Sequence, residues 1–331
     1  MQVYTKYDLQ KHNTMGIAAT AATFLVLEKI DEIPHALEHY GAPAYVLWWW
    51  SNIVLSNNLE WVTRHITSSA ITSKEDWDTI LLTCDAWCIR DSVVRHSVDN
   101  NRWGIENLIA IPGSIGAAPV QNIWAYWVEF KDVCETVEVY DLQEKIYKTL
   151  SVEECTFSYR MSVFKELPWR YIVCRTTIRL STTPHPKITY KALVDALATN
   201  ANPTQKEIAD TIERVRRSKL PRPGELGSVW SFFQNPIVSE TQVQELLVAF
   251  PNMPHFPYLP GQEKLPAARL IDQAGCKWVR HGAVGSYELQ PLVIVQYGGA
   301  TGQDIVNYAQ FIIKSVEEKF HIQLVPEANI W

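Results

Sequence analysis

The chain has 331 residues, of which 47% are hydrophobic and 20% are charged, and its formal net charge is -6. This length predicts about two domains that each bury a core, and the negative balance argues against a nucleic-acid-binding protein. No apolar run reaches the roughly 18 residues of a membrane span, and the N-terminus lacks the apolar core of a signal peptide. The six cysteines form no C-x-x-C pair, which predicts reduced thiols in a cytoplasmic protein.

Hydrophobic periodicity indicates an α+β chain with strands and helices intermixed. Strands are predicted at 24–27, 45–47, 53–55, 78–84, 136–142, 145–150, 171–180, 292–296 and 322–324. Helices are predicted at 31–40, 89–98, 203–220, 239–250 and 302–320. Thr204 and Glu207 fit a capping box at the start of the third helix, and a domain boundary is expected near residue 200. The opening strand–helix–strand unit has a turn at 48–52 that could hold a phosphate group.

The stretch 103–129 contains almost no charge, yet it fits neither a helix nor a strand. Pro112, Gly113, Gly116 and Pro119 interrupt any helical run. Small residues between them leave backbone amides bare, which suits the close approach of a phosphate-bearing ligand. A buried irregular loop of a large core is the alternative, and composition alone leaves both interpretations open.

Several common motifs are missing from the sequence. The segment from Gly113 to Gly116 lacks the third glycine of a dinucleotide fingerprint, and there is no Walker loop and no His-Glu-x-x-His. Ser231 has no G-x-S-x-G elbow around it, which argues against a hydrolase triad. The nine histidines suggest no ligand-spaced pair, so no metal site is expected.

A series of short motifs runs in one order along nearly the whole chain, from residue 13 to residue 330. They are Asn13-Thr14-x-Gly16, Ser51-Asn52, Gly104-Ile-Glu-Asn-Leu108, Ile111-Pro-Gly-Ser-Ile-Gly-Ala-Ala-Pro-Val-Gln-Asn-Ile123, Phe157-Ser-Tyr-Arg160, Ser231-Phe-Phe-x-Asn-Pro236, Leu270-Ile-Asp-Gln-Ala-Gly275 and Pro326-Glu327. In this order they resemble the motifs of the UDP-N-acetylenolpyruvoylglucosamine reductase family. The segment around Tyr190 is similar to the loop of its type I members.

The resemblance implies a fold and a division into domains. The implied fold is α+β, with a vanillyl-alcohol-oxidase-type FAD-binding fold of two subdomains and a C-terminal α+β substrate domain. Residues 1–70, together with 321–331, would form the first FAD-binding subdomain. Residues 71–200 would form the second, and residues 201–320 the substrate domain. The resemblance also implies a cytoplasmic monomer.

The implied function is the FAD-dependent, NADPH-driven reduction of UDP-N-acetylglucosamine enolpyruvate to UDP-N-acetylmuramate in peptidoglycan precursor synthesis. Hydride addition to an enol ether builds negative charge that must be stabilised and then protonated. By resemblance, Arg160 pairs with the substrate carboxylate, Glu327 is its acidic partner and Ser231 donates the proton. Substrate contacts are expected from Tyr190, Lys219, Asn235 and Gln290. FAD contacts are expected from Trp48, Trp49, Trp50, Ser51, Asn52, Pro112, Gly113, Ser114, Gly116, Ala117, Gln121, Asn122, Ala125 and Tyr126.

The chain departs from the family chiefly at its tryptophans. It contains 13 tryptophans and only 14 glycines. Tryptophan stands where the family commonly has glycine at positions 48, 49, 50, 61, 87, 124, 127, 230, 278 and 331. Tryptophan does not share the freedom of glycine at positive φ, and three consecutive indoles would fill space meant for a pyrophosphate.

Three interpretations follow from these tryptophans. The chain could be a folded but FAD-deficient, inactive member of the family. Alternatively, a translation table that reads UGA as tryptophan was applied to a lineage that reads UGA as glycine. The selective replacement of one residue type favours this second interpretation. A third possibility, another flavin oxidoreductase of the same FAD fold, is disfavoured by the set Arg160, Ser231 and Glu327.

Overall fold

The computed structural model describes residues 1–42, 45–47, 51–197, 200, 202–222 and 224–331, with the side chains of 47 and 61–65 left out. Contacts between residues divide the chain into two compact units. The first unit comprises Met1–Tyr7, Ala21–Trp49 and Leu59–Ser218. The second comprises Asp8–Thr20, Trp50–Asn58 and Lys219–Trp331.

The first unit contains the predicted strand–helix–strand opening. A four-stranded sheet has the order Gln2–Asp8, Thr20–Leu27, Leu59–Ile66 and Tyr45–Leu47. The second and fourth of these strands both run parallel to Leu59–Ile66. The helix Ile33–Tyr40 connects them; proline lies in its first turn and Gly41 follows its end. Both features were predicted, whereas the strands Gln2–Asp8 and Leu59–Ile66 were not.

The larger sheet of the first unit is antiparallel. Its five strands have the order Ile146–Ser151, Cys134–Asp141, Tyr171–Ser181, Thr79–Asp85 and Ile71–Asp76. The predicted strands at 78–84, 136–142, 145–150 and 171–180 are confirmed within this sheet. Its core also includes buried residues of the helices Arg90–Asp99 and Gln205–Arg217.

Shorter elements complete the first unit. The chain forms the two-residue strands Trp124–Ala125 and Val128–Glu129, and the helices Val163–Glu166 and Lys191–Ala196. Single 3-10 turns occur at Ile30–Glu32, Glu106–Leu108 and Phe130–Asp132 here, and at Gln10–His12 in the second unit.

The second unit is built on a four-stranded antiparallel sheet. Its strands have the order Gly227–Val229, Gln290–Gln296, Val284–Tyr287 and Arg280–His281. The helices of this unit are Glu240–Ala249, Ala267–Gln273 and Gly302–Phe320. A smaller three-stranded sheet has the order Ile237–Ser239, Gln262–Lys264 and Phe256–Pro257. A two-stranded parallel sheet pairs Ile53–Val54 with Asn329–Ile330. The long helix was predicted with the same bounds, because Ile305, Ile312 and Val316 recur at helical spacing. In the structure these three side chains are fully buried.

Two sequence predictions need correction in the second unit and at its border. The predicted strand at 322–324 is wrong. Ile322 and Leu324 are buried in the core, but backbone pairing begins later, at Pro326 and at Asn329–Ile330. The apolar pattern of this segment correctly indicated burial, but such a pattern contains no information about which strand, if any, pairs with it.

The helix predicted at 203–220 is Gln205–Arg217, and it carries the predicted capping box. Its contacts place it in the first unit, although the resemblance assigned its residues to the substrate domain. The three-part division of the chain stays a prediction. Among the described residues, no helix is both long enough and apolar enough to cross a membrane.

Candidate active site

A buried arginine forms hydrogen bonds to the backbone of the loop at 111–117. Arg90 is 2% exposed. Its guanidinium donates to the carbonyl oxygens of Ile111 at 3.3 Å, Pro112 at 3.4 Å and Ser114 at 3.0 Å. One side chain therefore binds three carbonyl oxygens of an irregular backbone that forms only an isolated bridge, between Ser114 and Ile89.

A second set of contacts joins this loop to the segment that precedes the helix Arg90–Asp99. The amide of Ile115 donates to the carbonyl of Cys88 at 2.8 Å, and the amide of Gly116 to that of Ala86 at 2.9 Å. A Cβ at Gly116 would lie 2.5 Å from the Cβ of Ala86 and 2.7 Å from its Cα. This glycine is therefore required by close packing of two backbones.

The loop is next to a concentration of positive charge. Burial lowers the pKa of Arg90 to about 10, so this guanidinium remains charged at neutral pH. Arg216 donates from Nε to the carbonyl of Ala110 at 3.1 Å, and burial lowers its pKa as well. Asp91 accepts from the amide of Ala110 at 2.8 Å, and burial raises the pKa of this carboxyl group. Two cations with one acidic neighbour suit an anionic ligand such as a pyrophosphate.

The predicted cofactor residues of this loop differ in access. Gly113, Ser114 and Gly116 are buried, as are Asn122, Ala125 and Tyr126, whereas Pro112, Ala117 and Gln121 are half-buried. Some small residues of the loop therefore serve packing and others reach the surface, and its role in binding a phosphate-bearing ligand stays a prediction. Trp48, Trp49 and Trp50 lie outside the described residues.

Arg160 lies at the tip of a tight turn. Ser158 and Met161 exchange backbone hydrogen bonds of 3.1 and 3.2 Å, which leaves Tyr159 and Arg160 between them. The φ angle of Arg160 is 57°, a conformation that costs a non-glycine residue about 1–3 kcal/mol. Such outliers concentrate at functional sites, and the half-buried Arg160 is therefore a strong candidate for a ligand contact.

Asn122 connects this turn to the loop. Its side-chain nitrogen donates to the carbonyl of Ser158 at 3.1 Å and to Glu129 at 2.7 Å, and its side-chain oxygen accepts from the amide of Lys131 at 2.9 Å. It is 1% exposed. The amide group is thus engaged within the protein, which gives Asn122 a positioning role besides the predicted cofactor contact.

An aromatic hairpin follows the loop. Trp124 pairs with Glu129 and Ala125 with Val128, so Tyr126 and Trp127 form the two-residue turn. Their φ angles are 48° and 65°. Positive φ at both central positions defines a type I′ turn, which favours glycine at the second of them. Trp127 therefore occupies a position that suits glycine.

Tyr190 packs against this hairpin within the first unit. Its ring centroid lies 5.0 Å from that of Tyr126, 6.2 Å from Trp127 and 6.4 Å from Trp124, each in an edge-to-face arrangement. The predicted substrate residue Tyr190 is thus brought next to the predicted cofactor residue Tyr126.

Two further tryptophans have backbone conformations typical of glycine. Trp278 has φ 60°, and Trp77 has φ 55° in the two-residue turn between the strands Ile71–Asp76 and Thr79–Asp85. Trp77 is 98% exposed. Trp77 is not among the ten positions at which the family commonly has glycine, but it is the first central residue of its turn, where type II′ turns have glycine.

In the second unit, the N-terminal motif joins two other predicted segments. The hydroxyl of Thr14 donates to the carbonyl of Ser228 at 2.8 Å and to that of Ser51 at 3.4 Å. The amide of Ser228 donates back to the carbonyl of Thr14 at 2.9 Å. The motif is therefore structural, since it holds the start of the serine segment beside the first predicted phosphate loop.

Backbone hydrogen bonds join the segment that contains Ser231 to the segment that contains Glu327. The amide of Glu327 donates to the carbonyl of Phe232 at 2.7 Å, and the amide of Phe232 donates to the carbonyl of Leu292 at 2.9 Å. Phe232 is fully buried and Glu327 is 6% exposed. Asn52 donates from its side chain to the carbonyl of Glu327 at 3.1 Å. Three segments predicted from separate motifs thus meet in one unit.

The remaining predicted substrate residues vary in their surroundings. The side-chain oxygen of Asn235 accepts from the amide of Ala267 at 2.9 Å, at the start of the helix Ala267–Gln273. Gln290 is half-buried at the start of a strand, and Lys219 is exposed. Asn235, Gln290 and Lys219 belong to the second unit, whereas Arg160 and Tyr190 belong to the first.

Comparisons with known proteins agree with this set of motifs. Residues 222–331 match the family model described as UDP-N-acetylenolpyruvoylglucosamine reductase, C-terminal domain. A UDP-N-acetylenolpyruvoylglucosamine reductase of Polynucleobacter asymbioticus is 38% identical, over 97% of this chain and 94% of its own. One of Amoebophilus asiaticus is also 38% identical, over 100% of this chain and 99% of its own. The chain belongs to the UDP-N-acetylenolpyruvoylglucosamine reductase family.

The fold of this reductase family member has a solved counterpart. The crystal structure of UDP-N-acetylenolpyruvylglucosamine reductase from Thermus caldophilus is similar with a TM-score of 0.68 and 22% identity, and the likeness covers 100% of this chain and 98% of that one. The predicted α+β fold class is therefore confirmed. The likeness spans both units.

Several functional candidates of the reductase were not evident from sequence. Arg90 and Arg216 are ordinary helix residues in the sequence. The groups that bury and bind each guanidinium lie far from it along the chain, so the sequence does not reveal them. The expectation of no ligand-spaced histidine pair is wrong, since His35 and His39 stand four residues apart on the helix Ile33–Tyr40. The i, i+4 spacing was the available signal.

Replacing Asn122 with alanine is expected to lower the turnover of the reductase by about tenfold to a hundredfold, because small displacements of a catalytic group have effects of that order. The change removes the bond that holds the Arg160 turn, and steady-state kinetics with the enolpyruvyl substrate measures the result. Asn100 serves as the matched control, since its side chain also donates to a carbonyl but is exposed. Equal activities of the Asn122→Ala and Asn100→Ala proteins would contradict the positioning role.

Proposed function

We propose that this protein catalyses the NADPH-driven reduction of UDP-N-acetylglucosamine enolpyruvate to UDP-N-acetylmuramate, with FAD as its bound cofactor. The reaction would take place in the cytoplasm as a step of peptidoglycan precursor synthesis, and we expect a monomer. The observation that carries the proposal is that Glu327 is hydrogen-bonded both to Phe232, the neighbour of Ser231, and to Asn52, within one unit. Its second support is the loop Ile111–Ala117 with Arg90 behind it.

The residues of this loop fit FAD. The cations Arg90 and Arg216 lie next to it, and its half-buried Pro112, Ala117 and Gln121 offer a surface for a flat ligand. Bound FAD would take hydride from NADPH and deliver it to the enolpyruvyl double bond. We assign the cofactor contacts to this loop, to the hairpin at Ala125 and Tyr126, and to the Ser51–Asn52 segment.

Arg160 has the right chemistry for the substrate carboxylate. A guanidinium presents two parallel donors, which pair with both oxygens of a carboxylate. Hydride addition leaves electron density on the neighbouring carbon and its carboxylate, so a cation there stabilises the enolate more than the substrate. The hydrogen bond from Asn122 to Ser158 holds the turn, with Arg160 at positive φ, before substrate arrives.

Ser231 would donate the proton that completes the reduction. Its hydroxyl oxygen loses a proton to the enolate carbon, and solvent restores it afterwards. A serine is a weak acid, so it needs a polar neighbour while the charge moves. Glu327 is the buried acidic group in the segment bonded next to Ser231. Tyr190, Lys219, Asn235 and Gln290 are left to bind the sugar nucleotide.

The alternative of an inactive, FAD-deficient member rests on tryptophans 48–50, 124, 127 and 230, of which 48–50 lie outside the described residues. Two of the described tryptophans favour the other interpretation. Trp127 and Trp278 have positive φ, as glycines commonly do, whereas Trp87, Trp124, Trp230 and Trp331 do not. Positions 127 and 278 therefore support a glycine in the natural protein.

Absorbance after addition of FAD tests the proposal. We expect the purified protein to become yellow and to oxidise NADPH only when the enolpyruvyl substrate is present. The matched control uses the substrate's sugar nucleotide without its enolpyruvyl group. A protein that stays colourless after FAD addition would support the inactive alternative, and NADPH oxidation indifferent to the enolpyruvyl group would favour a different oxidoreductase.

A further inference from the structure

The helix Ile33–Tyr40 carries a cluster of side chains that the proposed reaction does not use. His35, Glu38 and His39 stand at positions i, i+3 and i+4, which face the same side of a helix. One nitrogen or oxygen atom of each lies within 4.8 Å of the others, and all three residues are exposed. The two imidazole rings have centroids 4.1 Å apart. These are the residue types and the spacing of a helical metal site.

The hydrogen bonding of His39 prepares it to bind a metal ion. Its Nδ1 lies 3.0 Å from the carbonyl oxygen of His35. Because a carbonyl only accepts, Nδ1 carries the proton and the lone pair is on Nε2. Metal-ligating histidines almost always donate their other ring N–H in this way, since the bond fixes the tautomer and the ring orientation.

The opposite face of this helix is anchored. Ile33 and Ala36 are fully buried, and Leu37 packs against the same core. Gly41 ends the helix with φ 71°. A helix fixed in this way presents its three polar residues together, so little conformational freedom is lost when they bind one ion.

We propose that His35, Glu38 and His39 bind a divalent transition-metal ion. Two imidazoles and one carboxylate suit Zn²⁺, Ni²⁺ or Cu²⁺, whereas Mg²⁺ and Ca²⁺ prefer oxygen ligands. Three protein ligands leave a fourth position of a tetrahedral site for water. Because the ion binds the folded helix, it stabilises the native state by mass action. The site is independent of the reductase chemistry.

Calorimetric titration with Zn²⁺ alone tests this site, on full-length protein without a histidine tag and after treatment with a chelator. The wild type is expected to bind one ion. His35→Ala and His39→Ala are each expected to weaken binding on the order of a hundredfold, because the second ligand acts with the high effective concentration of a tethered group. Glu38→Gln is expected to weaken it less, since the two imidazoles remain.

His185 provides the matched control. It is exposed, and its Nδ1 also lies close to a backbone carbonyl, that of Thr183 at 2.9 Å. His185→Ala is expected to leave Zn²⁺ binding unchanged. Zn²⁺ affinity that survives in the His35→Ala/His39→Ala protein, or no binding by the wild type, would overturn the proposal. Melting curves without metal check that each variant is folded, and a Zn²⁺-dependent rise in melting temperature should occur only when both histidines are present.

Discussion

A Ser231→Ala protein is expected to lose reduction of the enolpyruvyl substrate by about 10²–10⁴-fold, the usual contribution of a positioned general acid. FAD binding and flavin reduction by NADPH should remain, because the hydroxyl is needed only after hydride has reached the substrate. Stopped-flow absorbance separates the two half-reactions. The loss should therefore be confined to reoxidation of the reduced flavin by substrate.

The surroundings of Ser231 make this variant informative. Phe232 and Phe233 are 0% and 1% exposed, and the amide of Phe232 is bonded to Leu292. These contacts hold the backbone without the Ser231 side chain, so alanine should not change the fold. A Ser231→Cys protein keeps a proton donor and is expected to recover part of the rate.

Ser315 is the control for this experiment. Its hydroxyl donates to a backbone carbonyl, that of Phe311 at 2.8 Å, on the helix Gly302–Phe320. Ser315→Ala should keep both half-reactions at the wild-type rate. Unimpaired substrate reduction in the Ser231→Ala protein would exclude Ser231 as the donor and leave the proton source to another group.

Substitutions of tryptophan by glycine are expected to have opposite effects at different positions. Trp127→Gly and Trp278→Gly should stabilise the fold by about 0.5–1 kcal/mol each, because relief of positive-φ strain exceeds the entropy that glycine gains in the unfolded chain. Trp103→Gly should destabilise it by about 3–5 kcal/mol. Trp103 is 7% exposed in the core of the first unit, so its removal leaves a cavity. Urea unfolding measures all three.

The sign of these changes distinguishes two origins of the tryptophans. If glycine is the natural residue at 127 and 278, both substitutions restore a turn that the backbone already adopts. If tryptophan at these positions were selected for packing, both should destabilise the protein, as Trp103→Gly does. The intact mass of the protein from its native cells gives an independent answer, and a mass that includes all 13 tryptophans would contradict the genetic-code explanation.

Local pattern predicted much of the secondary structure. The long helix Gly302–Phe320 and the capped helix Gln205–Arg217 have strong periodicity and start signals, and these depend only on neighbours in sequence. Strands with irregular patterns, such as Leu59–Ile66 and Arg280–His281, were not predicted. Their partners lie elsewhere in the chain, and a single short segment contains no information about its partner.

The sequence by itself determined the family, the α+β class and the candidate residues Arg160, Ser231 and Glu327, because motifs preserve residue identity in order. Only the tertiary structure decided what those residues contact. It placed Asn122 between a loop and the Arg160 turn, and it set Arg90 behind the carbonyls of 111–114. Burial, hydrogen-bond partners and φ angles arise from groups that are distant in sequence. For that reason the positive φ of Trp127 became evident only in the folded chain.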